Sequence, residues 1–503
     1  MMLLAIDAGT TNMKAGLFDE RGVMLASAAC SNERRTDDDG CAIYDPDQLW
    51  ARAAGLIRAV AGAAGPAGVR AVGITSMAES GVVVDMRTGR PKSPVLPWFD
   101  RSSAPQAARI EKEIDILERF RASGLRPSFK QGMAKLLRLA QRHPDALEGG
   151  VWLSASAYIA HRLTGRFAEE TTLAARSFAY RIDTRSWDEP FIRHFGLSGS
   201  LFPPVLPPGE AAGRVQAGLA AQLGLRPDTQ VCIAGHDHVC ASLAVEGLRQ
   251  GAVYNSMGTA ETLVGLLEER PLGELDLASG LSFGLHPLPG RMFWMGGHSS
   301  SGGSVEWLRG LLGDEGLSYS GMMELLQERG HRPTGILFYP YLAGCGAPTP
   351  DPGAKAAFIG LTNRHGKGDL LMAVLEGNAC QMEAMRRCAE QTSGGPIREL
   401  CVVGGGVRNR IWLQVKADVS GLQLRVPGIP EAALLGAALT AGVGSGLYAS
   451  FEEAMASVRP PDSAIVLPDG ERHIFYRRFY EQVYEKLRLP VASFGEWENA
   501  GGG

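Results

Sequence analysis

The 503-residue chain has no apolar run long enough to cross a membrane, no C-x-x-C pair and no surplus of charge. Each absence removes a class of function. A membrane span takes about 20 consecutive apolar residues and a secretory leader roughly 7–15, whereas the opening MMLLAIDAGTT turns polar at Asp7. Neither leader nor anchor is expected. Fifty basic residues against 54 acidic ones give a net charge of -4, too even a balance to draw in nucleic acid or a lipid surface. Small molecules are the expected partners. The eight cysteines (30, 41, 232, 240, 345, 380, 388 and 401) lie mostly in apolar stretches and read as reduced thiols used as small hydrophobes, which favours the cytoplasm.

What is present is α/β texture in a chain too long for one core, so two large domains are expected. LLAIDAGTTNMKAGLFDERGVMLASAAC reads as a strand, a Gly/Thr turn and further strands; DPDQLWARAAGLIRAVAGAAG carries helical spacing after an Asp cap; VRAVGITS returns to strand. GAVYNSMGTAETLVGLLEE repeats the opening hairpin, with Gly-Thr at its turn. The border is expected near residue 245, giving domains 1–245 and 246–503, and the tail NAGGG has no packing character.

Four constellations carry candidate chemistry. Asp7-Ala8-Gly9-Thr10-Thr11-Asn12 with Lys14 offers an anion nest, hydroxyl donors and a carboxylate for hydrated Mg²⁺; an ordinary hairpin would use the same residues. Ser256-Met257-Gly258-Thr259-Ala260 repeats the pattern, and two such hairpins suggest a nucleotide held between them. In LCVVGGGVRNRIWLQ a strand runs through Gly404-Gly405-Gly406 into a helix, either a binding site or a tight packing corner. It is not G-x-G-x-x-G, which argues against a dinucleotide fold. In CIAGHDHVC, His236 and His238 are expected to project from a strand end on one side and Asp237 on the other. A shared metal needs further ligands, and no H-E-x-x-H exists. A lone carboxylate facing a cleft suits a general base, and a satisfied turn is the bland alternative.

The order of these pieces resembles the FGGY carbohydrate kinases over nearly the whole chain. AIDAGTTNMKAGLFD looks like that family's first phosphate hairpin, and YDPDQLW and WFDRS match early stretches. Residues 356–376, AAFIGLTNRHGKGDLLMAVLE, fit A-x-F-x-G-L, seven residues, then D-L-x-x-A-V-L-E; GGGVRNRIWLQVKADVSG and EAALLGAALTAGVGSG fit its later glycine and E-x-x-x-L-G-A-A runs.

The resemblance implies two actin-like, ribonuclease-H-type domains closing over ATP, with sugar in the central cleft. On that mapping Asp7 orients Mg²⁺ through water, and Thr10, Thr11, Asn12 and Lys14 lie by the transferred phosphate with Gly258 and Thr259 opposite. Gly405, Gly406 and Asn409 flank the adenosine. Asp237 takes the base position and His238 touches the substrate, with Glu79, Trp98 and Asp100 lining the sugar pocket; the mapping gives His236 no role, and support of Asp237 is the expectation for it. Relatives of this kind often dimerise. Glycerol kinases carry Gln-Arg-Glu where this chain has Met77-Ala78-Glu79, so the arginine that meets glycerol is missing; xylulose kinases carry Met-His there. Cys345-Gly346 replaces part of the usual G-E-R-A-P, and Arg138 stands where Trp is common. A ketose kinase, with a pentulose such as xylulose foremost, is therefore expected. Tetruloses, hexuloses, fuculose-like sugars and polyols come next; a non-catalytic sugar sensor and a metal-dependent hydrolase are the rivals.

Overall fold

The computed structural model describes residues 1–245, 251–313, 316–458 and 462–495; the expected border near 245 abuts the undescribed 246–250, and the NAGGG tail lies outside the described residues. Two mixed sheets dominate. The first contains β1 (Met2–Ala8), β2 (Asn12–Phe18), β3 (Met24–Ser31), β4 (Val69–Ser76), β5 (Ala211–Arg214) and β6 (Gln230–His236), in the order β5-β6-β4-β1-β2-β3. The second contains β7 (Ala252–Met257), β8 (Glu261–Glu268), β9 (Ser282–Leu285), β10 (Arg291–His298), β11 (Glu399–Val403), β12 (Gln423–Val426) and β13 (Ala464–Val466), in the order β9-β10-β8-β7-β11-β12-β13.

The two sheets repeat one plan. β1, β2 and β3 form an antiparallel meander, as do β7, β8 and β10; β4 and β6 then continue parallel to β1, as β11 and β12 do to β7. Burial follows position. Leu3–Ile6 in central β1 are buried without interruption, whereas the edge strand β3 alternates half-buried with exposed residues, as strands covered on two faces and on one face should. The capped helix expected after Asp45 is α1 (Pro46–Ala61), with the Asp45 carboxylate accepting from the amides of Asp47 and Gln48.

The halves share an apolar seam. A short helix, α2 (Asp237–Ala244), leaves the end of β6, and α3 (Ala432–Gly444), from the far end of the chain, packs on α2 and on β1, β4 and β6. Glycine permits the approach. A Cβ on Gly436 would stand 1.8 Å from the Cys240 carbonyl oxygen, and one on Gly73 would stand 2.0 Å from that of Ala437. Residues from before 245 and after 251, among them Leu3, Ala71, Val239, Tyr254 and Leu439, form one buried cluster. The division in sequence is thus not a clean division in space. None of the eight cysteines forms a disulfide, and six are buried. Among the described residues no helix is long and apolar enough to cross a membrane.

Candidate active site

β1, β4 and β6 run parallel, and their carboxyl ends bring together Asp7, Ser76 and His236 at one edge of the first sheet. Ligands of open α/β sheets bind at such ends. The turn after β1 is fixed from three sides. Asn32 Nδ2 donates to the Gly9 carbonyl at 2.9 Å, the Tyr44 hydroxyl to the Thr10 carbonyl at 2.7 Å, and Trp98 Nε1 to Thr10 Oγ1 at 2.9 Å. Thr11 and Asn12 are exposed at its tip. Lys14 crosses to the second half of the chain, where its ammonium lies 2.8 Å from both Glu431 oxygens just ahead of α3.

The trio at 236–238 differs from the sequence expectation. β6 stops at His236 and α2 starts at Asp237, so His238 lies in the first turn of a helix and not on a strand face. The backbone amide of His238 donates to Asp237 Oδ1 at 2.7 Å, and His236 Nε2 lies 3.2 Å from the same oxygen. Burial holds His236 neutral, well below its ordinary pKa. At that distance the neutral ring sits beside the Asp237 carboxylate without a charge to pair with it. The two imidazoles stand edge to face, 5.5 Å apart. His238 reaches into the second half instead, with Nδ1 3.4 Å from the Tyr254 hydroxyl and Nε2 3.3 Å from Thr262 Oγ1. Among the described residues no group of three or more His, Cys, Asp or Glu is placed to hold a metal ion.

Asp237 raises the pKa of Asp7. Burial pushes Asp7 up to about 8, with Asp237 adding to it and Lys14 opposing. Burial also pushes Asp237 up to about 7, with Glu79 adding and the His238 amide and Arg176 opposing. Asp7 Oδ1 is buried without a hydrogen-bond partner. A hard oxygen with no donor, facing a second carboxylate, suits a hydrated divalent cation, which needs few protein ligands when phosphate oxygens supply the rest. The donor set therefore fits Mg²⁺.

Beside Asp237 lies the wall expected to receive sugar. Glu79, held at φ 57°, accepts from Arg176 Nε at 2.7 Å and from Nη2. Trp98 is anchored through its amide to Ser80 Oγ at 3.0 Å and presents its ring to the Lys130 ammonium, 5.2 Å from the centroid. Asp100 faces the backbone more than a cavity: Oδ2 accepts from the Ala42 amide at 2.9 Å and Oδ1 from the amide and hydroxyl of Ser102. A cavity behind Glu79 is lined by Ser80, Trp152, Glu169 and Arg176, among others. Arg176, Lys130 and Lys135 escaped sequence reasoning. The one local signal was Lys135, a charge inside the apolar stripe MAKLLRL.

The second hairpin is anchored from below. The Gly258 and Thr259 carbonyls accept from the Gly302 and Gly303 amides at 3.0 Å each, leaving Thr259 exposed at the tip. Under it Glu261, wholly buried, pairs with the buried Lys416 ammonium and accepts from Ser301 Oγ at 2.7 Å and Asn255 Nδ2 at 2.9 Å. The triple glycine is in part a tight packing corner. Gly404 has φ +98°, and Cβ atoms on Gly404 and Gly406 would stand 2.6 and 2.9 Å from Met257 atoms, while one on Gly405 would meet nothing within 4 Å. Gly406 is thus a packing residue against the second hairpin, and Gly405 has open space beside it. Asn409 caps the following helix, α4 (Arg410–Ser420), accepting from the Trp412 amide at 3.0 Å.

Comparison with known proteins follows these lines. The sequence profile of the FGGY family of carbohydrate kinases, N-terminal domain, matches residues 2–244, and that of its C-terminal domain matches residues 253–445. The chain belongs to the FGGY family of carbohydrate kinases. It is 30% identical to a glycerol kinase of Gloeobacter violaceus over 95% of this chain and 94% of the relative. It is 29% identical to an L-fuculokinase of Salmonella typhi over 91% and 95%. A ligand-bound xylulose kinase of Lactobacillus acidophilus shares the fold, with a TM-score of 0.89 and 18% identity over 99% of each chain. This FGGY kinase is a phosphotransferase that uses ATP and an alcohol acceptor. Glycerol, fuculose and xylulose kinases all stand at a distance from it.

Proposed function

We propose that this kinase moves the γ-phosphoryl group of ATP to a hydroxyl of a polyhydroxylated carbohydrate, with Asp237 as the general base. The observation that carries the reading is the position of Asp237. It starts a helix at the carboxyl end of β6, is 24% exposed, accepts from its neighbour's amide, and adds to the raised pKa of Asp7. Phosphoryl transfer asks for positioning and charge neutralisation more than covalent help. Asp237 accepts the acceptor's proton as the alkoxyl oxygen bonds to the γ-phosphorus and the bond to the bridging oxygen breaks, releasing ADP.

Thr10, Thr11, Asn12 and Lys14 receive the phosphates from one side and Gly258 and Thr259 from the other, with backbone amides at both turns. Gly405 gives the adenosine side its clearance. Mg²⁺ would be held by Asp7 through water, and when bound it offsets negative charge on the phosphate oxygens. Lys14 must leave Glu431 to meet a phosphate, so nucleotide binding exchanges one anionic partner for another. Ala78, buried where an arginine contacts glycerol in glycerol kinases, leaves no cation at that position for a small triol.

The pentulose expectation sets the first arm of the test, an ATP-consumption screen over ketoses, their acids and polyols with the phosphorylated carbon determined in the product. ADP release that depends on one acceptor class supports the reading. No acceptor-dependent ADP from any class, with ATP still bound, sinks it in favour of a sugar sensor.

A further inference from the structure

The wall beside Asp237 carries more positive charge than its own carboxylates use. Glu79 faces three cations, Arg176, Lys130 and Lys135. Two of these are spent. Arg176 is paired with Glu79 through Nε and Nη2, and Nη1 reaches only Ser282 Oγ at 3.4 Å. The Lys135 ammonium, on a residue 2% exposed, donates to the main-chain oxygens of Glu79 and Lys130 and holds the wall's backbone.

Lys130 is different. Its ammonium lies over the Trp98 ring and has no hydrogen-bond acceptor among the described residues. Among its charged neighbours Glu79 attracts it, and Arg176 and Arg101 repel it. Asp100, a further carboxylate on this wall, is taken up by Ala42 and Ser102. A half-buried ammonium with no acceptor is costly to hold, and a guest that brings an anion removes the cost. Glu79 and Arg176 act electrostatically on both Lys130 and Asp237, so the lone ammonium and the acidic pair of Asp237 and Asp7 belong to one wall.

Resting on the kinase reading above, we propose that the acceptor carries a carboxylate: Lys130 receives it with Arg176 alongside, and the substrate is a polyhydroxy acid phosphorylated at a hydroxyl remote from that carboxylate. The polarity follows from repulsion. An acid turned the other way would set its carboxylate against Asp237 and Asp7. Trp98 supplies an apolar face for the carbon chain between the two ends.

Matched pairs test this: D-gluconate with D-glucitol, D-xylonate with xylitol and L-threonate with L-threitol, each titrated calorimetrically into the full chain at constant ionic strength. The expected result is that at least one acid binds about tenfold or more tightly than its alcohol, the scale of one charge-assisted hydrogen bond. Lys130→Met should erase that difference and Lys130→Arg should keep it, with melting temperatures confirming that both variants fold. No acid preference in the wild-type chain overturns the proposal, and so does a preference that survives Lys130→Met. Adding ATP and following ADP separates the two readings. An acid that binds but is never phosphorylated sinks the kinase assignment alone, whereas an alcohol phosphorylated without any acid preference sinks the carboxylate subsite alone.

Discussion

Asp237 is held where four influences compete. Burial and the Glu79 carboxylate raise its pKa to about 7, and the His238 amide and the Arg176 guanidinium pull it back. A base must be ionised to accept a proton, so the ionised fraction, and with it kcat/KM for the acceptor, rises with pH through about 7 and levels above it. A pH–rate profile of the free enzyme's kcat/KM checks this; a profile that falls across the same interval would contradict the assignment. Asp237 was legible in the sequence because two histidines mark it and a strand precedes it. Its neighbours were not. Glu79 and Arg176 are 97 residues apart and Lys14 and Glu431 are 417 apart, and no local pattern links such positions. The substrate contact expected of His238 competes with Tyr254 and Thr262, whose hydroxyls lie 3.4 and 3.3 Å from its ring nitrogens.

At the scale of elements, both Gly-Thr hairpins and the strand-turn-helix at 404 were legible, because turn chemistry and apolar alternation are local signals. The start of α2 was not. An eight-residue helix that follows a strand with no Gly or Pro between them carries too little periodicity to read. What secures the second hairpin is also hidden in sequence: Glu261 in β8 and Lys416 in α4 have fully buried side chains. Lys416→Met leaves Glu261 as an unpaired buried charge and should cost about 3–5 kcal/mol. Adding Glu261→Gln to it should restore most of that stability. Denaturant unfolding of the single and double variants measures both effects, and a single variant as stable as wild type would show that the pair does not secure the hairpin. A second packing test lies at the seam, where Gly436→Ala sets a methyl against the Cys240 carbonyl and should destabilise by about 1–3 kcal/mol, the range for overpacking.

Over the whole molecule, the repeated sheet plan explains why the two-domain reading came through: each half spells its own meander. The α3 seam did not come through, because nothing in an Ala- and Gly-rich helix names the sheet it will pack on. Burial of carboxyls has a global consequence. Asp7, Asp237, Glu169, Glu170 and Glu376 are all raised, to between about 7 and about 8, chiefly by desolvation. With folded values above unfolded ones, the native chain binds more protons in that interval, so stability is greatest at the acid end and declines as pH rises toward 8. Thermal melts of the nucleotide-free chain should therefore show a falling melting temperature between pH 5.5 and 8, about where kcat/KM rises. A melting temperature that climbs over that range would contradict the burial of these groups.

One measurement bears on the centre of the account: acceptor-dependent ADP release by Asp237→Asn at saturating ATP and acceptor, with ATP binding followed by calorimetry. The account predicts a loss of about 10²–10⁴-fold, the contribution of a general base, with ATP still bound. Turnover close to that of the wild-type chain would contradict it.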